Sequence, residues 1–216
     1  MSEAYLPHSF QYSSARYQSE TSLAGMWLFV ASESLFFGGL FLAWVFCRHW
    51  AQQGFDEGAK DTELWIGTVN TIILLTSSFA YATGVAFIRA GNVRGLVRCC
   101  ALTLILGLAF LYLKFGLEWM DDIHKHTFFA DPHFKYTGRE ARGAHLFYVF
   151  YFVGTALHGV HMLVGIALVA IVIWRARRGA FSSFNNSAVV ITGIYWSFVD
   201  MIWMVLYPLI YLIGRT

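Results

Sequence analysis

Five long stretches of the chain are apolar on every side, and its polar residues collect between them. The stretches cover about 23–47, 65–88, 95–119, 143–174 and 188–213. A bilayer core about 30 Å thick is crossed by roughly 20 helical residues, so each stretch is long enough to span it. Membrane β-barrel strands would instead alternate over segments of about ten residues. The pattern therefore predicts an all-α integral membrane bundle of five transmembrane helices. Residues 1–22 read as a polar N-terminal segment containing Pro7, with no basic cluster and no small-residue cleavage signal after the first apolar run. That run is expected to be retained rather than removed. Pro208, inside the fifth run, is expected to bend it or lie near its end.

Composition points the same way. Of the 216 residues, 57% are hydrophobic and 13% charged, against about 25% charged in soluble domains. Soluble, disordered and collagen-like chains are excluded. The net charge of +2 is small and scattered, which does not suggest nucleic-acid binding. Three cysteines, two of them the adjacent Cys99 and Cys100, make neither a disulfide framework nor a CxxC pair. Charge placement sets an expected orientation. Arg89, Arg94 and Arg98 follow the second run, and Arg175, Arg177 and Arg178 follow the fourth, with no acid among them. The connection after the first run carries Asp56, Glu57, Asp61 and Glu63. Basic short loops stay inside, so the N-terminus is expected in the cytoplasm and the C-terminus outside. The expected location is a bacterial inner membrane.

Ionisable groups within a span are costly and mark candidate sites. Glu33 lies ten residues into the first run, about 15 Å deep, and Asp200 twelve residues into the fifth, about 18 Å deep. His158 and His161 lie fifteen and eighteen residues into the fourth run, which enters from the other side. All four fall in one slab near the midplane, whereas Lys114 and Glu118 are expected as polar groups at the outer end of the third span. Gly154, His158, His161 and Gly165 share one helix face. Trp196, Asp200, Trp203 and Tyr207 repeat the same 4, 3, 4 spacing, which suggests that Asp200 sits between Trp N–H or Tyr O–H donors. A bis-imidazole haem needs a second histidine at matching depth on another helix, and His49 and His145 lie at span ends instead. No catalytic or metal set emerges. Asp121, Asp122, His124, His126, Asp131 and His133 have the composition of metal ligands but read as a solvated connection.

Four segments together resemble one family. They are WLFVASESLFFGGLF at 27–41, LGLAFLYLKFGLEW at 106–119, YVFYFVGTALHGVHMLVG at 148–165 and YWSFVDMIWMVLYPLIYLIGR at 195–215. In order and spacing they are similar to the subunit III family of haem–copper respiratory oxidases, in its five-helix form. The resemblance implies an accessory subunit with no cofactor of its own, packed beside subunit I, which carries haem and copper, and beside other oxidase subunits. It implies bound phospholipid in a cleft, with Glu33 as the family's buried glutamate. It further implies roles in stabilising the catalytic subunit, supporting proton uptake and guiding O2 through lipid. The expected polar lining of that cleft is Glu33, His158, His161, Asp200, Trp196 and Trp203. Two positions depart from the family pattern: Ser197 replaces a common histidine, and Lys114 a frequent glutamine. The alternatives are the accessory subunit of a nitric oxide reductase, a haem b quinone anchor using His158 or His161, and a lone lipid-binding or transport protein.

Overall fold

With no water to satisfy the backbone inside a bilayer, an apolar run must bond its own N–H and C=O groups, and a helix does so. The computed structural model describes residues 15–138 and 141–215, and all regular structure among them is helical. The spanning helices are α1 (Ala15–Trp50), α3 (Leu64–Arg89), α4 (Val93–Leu111), α6 (Ala141–Arg177) and α7 (Ser187–Tyr207), with a short α2 (Gln52–Asp61) after α1. The third span continues past α4 through a wide π-helical segment, Tyr112–Glu118, into α5 (Trp119–His124). Five of these helical runs are long and apolar enough to cross a membrane.

The helices outrun the apolar stretches. Of the expected polar segment 1–22, residues 1–14 lie outside the described residues, and 15–22 form the first turns of α1. There Arg16 and Glu20 pair one turn apart at 2.9 Å, a spacing that supports helix in water. The connection after α1 contains α2, which buries Phe55 and Ala59 against the start of α6 and the chain's C-terminal end. Pro208 does not stop the fifth helix. Its ring would crowd the preceding turn of an α-helix, and the chain continues instead in a wider π-helical segment, Pro208–Leu212.

α3 and α4 form the most extensive helix pair. Their joint is a tight turn in which Gly91 takes a φ of 78° and the Asn92 side chain accepts from Gly95 N–H at 2.9 Å. α6 packs against α4, α2, α7 and α1, while α1 lies at the margin of the bundle. The core is aromatic at its centre. The Trp196 indole lies between α4 and α6, where an added Cβ on Gly107 or Gly165 would stand 2.9 or 3.1 Å from the ring.

Candidate functional site

The residues expected near the midplane divide between two helix contacts. α1 presents Glu33 to α6, where its carboxylate lies 3.3 Å from His161 Nε2. His161 Nδ1 contacts Leu157 O at 2.8 Å, and Phe37 meets the imidazole edge-on at 5.3 Å. Both ring nitrogens are therefore engaged. The Tyr195 hydroxyl donates to His161 O at 2.9 Å, tying α7 to the same turn. His158, one turn away, faces the opposite neighbours. It is fully buried between the Phe110 ring at 5.4 Å and the Trp203 ring at 5.2 Å. The two histidines share a helix but not a site.

Asp200 belongs to a polar zipper between α7 and α3. Tyr207 and Thr68 hydroxyls lie 2.8 Å apart, Trp203 Nε1–H donates to Thr71 at 3.0 Å, and Trp196 Nε1–H donates to Ser77 at 3.1 Å. Ser78 donates to the Asp200 carboxylate. The expected aromatic donors to Asp200 are thus spent on α3 hydroxyls, and a serine supplies the carboxylate. The three aromatic rungs follow antiparallel register, with α7 numbers falling from 207 through 203 to 196 as α3 numbers rise from 68 through 71 to 77. The Ser/Thr positions of α3 give no warning in the sequence, because hydroxyls in a span can also bond back within their own helix. Thr68, Thr71 and Ser77 make such bonds as well.

Lys114 and Glu118 are not outer-end surface groups. Both are fully buried, and they form an ion pair of 2.9 Å. The wide turns of 112–118 change the angular step of the third span. Tyr112 and Leu117 consequently face outward while Lys114 and Glu118 aim at the bundle interior. Lys114 Nζ also donates to Tyr151 at 3.0 Å and Tyr211 at 2.7 Å. Tyr211 donates to Glu118 at 2.5 Å, and the Tyr151 hydroxyl lies 2.6 Å from Asp122. The ammonium stands 4.3 Å from the Tyr151 ring centre, where a cation is attracted by the ring quadrupole. One cluster thereby joins the third, fourth and fifth spans. Tyr151 and Tyr211 were not singled out from sequence, and Asp122, expected in a solvated connection, is buried instead. Tyr151 and Tyr211 resemble any aromatic in an apolar run, and Asp122 reads as loop.

Beyond the spans, Asp61 accepts from Lys135 and Tyr136, which ties the loop after α5 to the end of α2. Partial burial would raise the Asp61 carboxyl, but the Lys135 and Tyr136 bonds and the nearby lysines outweigh it, holding it below its ordinary value. Asp121 and Glu63 both bind Lys125, which pushes its ammonium above the usual range. In the same loop His126 Nδ1 lies 2.8 Å from Asp131, which also accepts from His133 N–H. Among the described residues no group of three or more His, Cys, Asp or Glu is placed to hold a metal ion.

An apolar groove of about 350 Å³ runs between α1, α3 and α7, lined by Trp27, Val30, Tyr81, Ser197 and Met201 among others. Ser197, at the position of the family's common histidine, is exposed there. The architecture defines an all-helical, five-span membrane protein whose polar interior ties its helices together.

Residues 16–215 match the family model of cytochrome c oxidase subunit III. The chain belongs to that family. It is 36% identical over 198 residues to cytochrome c oxidase subunit 3 of Thermostichus vulcanus, covering 88% of this chain and 87% of that one. It is 33% identical over 194 residues to the subunit of the same name from Synechocystis, covering 88% and 74%. Over 204 residues it is 26% identical to quinol oxidase subunit 3 of Bacillus spizizenii, covering 92% and 91%. It is accordingly an accessory subunit of an oxidase.

Proposed function

We propose that this chain is the non-redox subunit III of a proton-pumping terminal oxidase that reduces O2 to water. In this reading it packs beside the haem–copper catalytic subunit in a bacterial plasma membrane, stabilises it, and supports proton uptake and O2 access along lipid-filled grooves. The arginine-rich end faces the cytoplasm. Two acid-free arginine loops favour that orientation, and the Ser19–Ser187 contact of 2.7 Å brings the start of α1 to the same end.

The observation that carries the reading is the Glu33–His161 pair. An ionisable couple at the midplane is expensive unless it is used or paired. This one sits on α1, at the bundle margin, where a partner subunit or lipid can reach it. Side-chain exposures of 23% for Glu33 and 17% for His161 leave the pair partly accessible. The haem b alternative finds no support here. His161 has both nitrogens engaged, and His158 is enclosed by rings. A nitric oxide reductase is distinguished by its partner's metals, haem with non-haem iron rather than haem with copper, in the co-purified complex.

The test is Glu33→Ala in the purified complex. Haem and copper content is expected to stay intact, while the enzyme inactivates in fewer turnovers or takes up protons more slowly. Unchanged inactivation together with unchanged proton uptake would refute the role given to Glu33.

A further inference from the structure

The hydrogens of the buried cluster at the end of the third span do not add up if both of its acids are ionised. Lys114 has three N–H bonds to give, and three oxygens stand in reach. They are the Tyr211 hydroxyl at 2.7 Å, Glu118 Oε1 at 2.9 Å and the Tyr151 hydroxyl at 3.0 Å. Tyr211 accepts from Lys114 and gives its own hydrogen to Glu118 Oε1 at 2.5 Å. Tyr151 is the exception. It accepts from Lys114 and faces two carboxyl oxygens, Asp122 Oδ2 at 2.6 Å and Glu118 Oε1 at 3.0 Å. A hydroxyl has one hydrogen to give, and an ionised carboxylate only accepts. With both acids ionised, one of these contacts would set oxygen against oxygen with no hydrogen between them.

We propose that Glu118 and Asp122 share a single proton, carried on Asp122 Oδ2, which makes the cluster a proton-binding site. Each contact then has its hydrogen. Asp122 O–H donates to Tyr151, and Tyr151 donates to Glu118 Oε1. The Tyr151 oxygen accepts twice and gives once, the full capacity of a hydroxyl. Glu118 stays ionised opposite Lys114. Charge gives the same count. Lys114, Glu118 and Asp122 are all buried, and two neighbouring carboxylate charges would share one ammonium. Lys125, the next cation along α5, is held by Glu63 at 2.9 Å and Asp121 at 2.5 Å. Among the described residues Asp122 forms no ion pair. On α6, the Tyr148 hydroxyl and both His158 nitrogens are buried and make no hydrogen bond to either acid. The site lies at the rim of the bundle, away from the arginine loops: the residue after Asp122, Ile123, is 44% exposed. The inference does not depend on the role proposed for Glu33.

Infrared spectroscopy of the purified complex at neutral pH tests it. The difference between wild type and Asp122→Asn is expected to show the carbonyl band of one protonated carboxylic acid, lost in the variant and moved by heavy water. Asn has the shape of the neutral acid, with an N–H where the O–H stood, so the variant is expected to fold. When the protein is made with aspartate carrying heavy carbon in its carboxyl, the band should move to lower frequency. Glutamate labelled in the same way should leave it in place. Tyr151→Phe removes the acceptor of the Asp122 O–H, so the band should persist and move to higher frequency. If the Asp122→Asn complex fails to assemble, the labelled wild type and Tyr151→Phe decide by themselves: a shifted aspartic acid band supports the site, and its absence refutes it. Loss of no acid band in Asp122→Asn would overturn the proposal, because Asp122 would then be ionised. A band that moves with labelled glutamate would put the proton on Glu118 and overturn it as well.

Discussion

Lys114 shows how a single side chain can reorganise the interior. A buried charge is tolerable when it is paired and its hydrogen bonds are filled. Lys114 meets both conditions through Glu118, Tyr151 and Tyr211. Removing one partner strands the other. Lys114→Met is expected to destabilise the protein by about 3–5 kcal/mol, read as a lowered thermal midpoint in detergent. Lys114→Met combined with Glu118→Gln should recover much of that loss, because the two paired charges are removed together. If the double variant is no more stable than Lys114→Met alone, the pair is not the unit argued here. From sequence these two residues were visible as charged and near a span end. Their burial was not, since it depends on the wide turns at 112–118. Glu33 and His161 were legible as ionisable groups deep within their apolar runs, because position along a run follows from counting residues. Their contact required knowing which faces of α1 and α6 meet.

At the scale of elements, the helices are held apart and together by a few close approaches. Trp196 occupies the space left by Gly107 on α4 and Gly165 on α6, while its indole N–H binds α3. A methyl at Gly107 would overlap a buried ring that has no room to retreat. Gly107→Ala should therefore cost about 1–3 kcal/mol, measured by the same thermal midpoint. The equivalent change at Gly39, where an added Cβ meets nothing within 4 Å, should cost far less. Comparable losses at both positions would show that glycine flexibility, not packing, is at stake. All five spanning helices were readable from their apolar length. α2 was hidden in a charged connection, although Phe55, Gly58 and Ala59 share one face at helical spacing and are buried. The stretch is short, and its burying partners come from α6 and the C-terminal end.

Across the whole molecule, the two ends differ in how charge is managed. At the acidic end Arg48, Lys60, Lys125 and Lys135 each pair with a carboxylate, and the Asp61 contacts with Lys135 and Tyr136 close the long loop over α2. The folded Asp61 carboxyl lies below its ordinary value of 3.8. Its contribution is therefore complete above that value and is lost as pH falls through the lowered one. Lys125, Lys135 and Tyr136 are the neighbouring groups that set this balance. Amide protection over 127–136, taken relative to the intrinsic exchange rate at each pH, is expected to be high at neutral pH and to fall below pH 3.8. Asp61→Asn should be less protected already at neutral pH, and its protection should depend less on acid. A loop equally protected in both proteins would show that the Asp61 tie does not hold it. The sequence by itself determined that this chain has five runs able to span a membrane, how far along its run each ionisable residue stands, and which family its motifs resemble. Those properties follow from apolar length and residue count, which are local along the chain. Tertiary structure alone decided that His158 and His161 face different neighbours, that Asp200 takes its hydrogen bond from Ser78, and that Lys114 and Glu118 are sealed inside. Each of these depends on the rotation of one helix against another, and an apolar run that is hydrophobic on all sides carries no mark of which face turns inward.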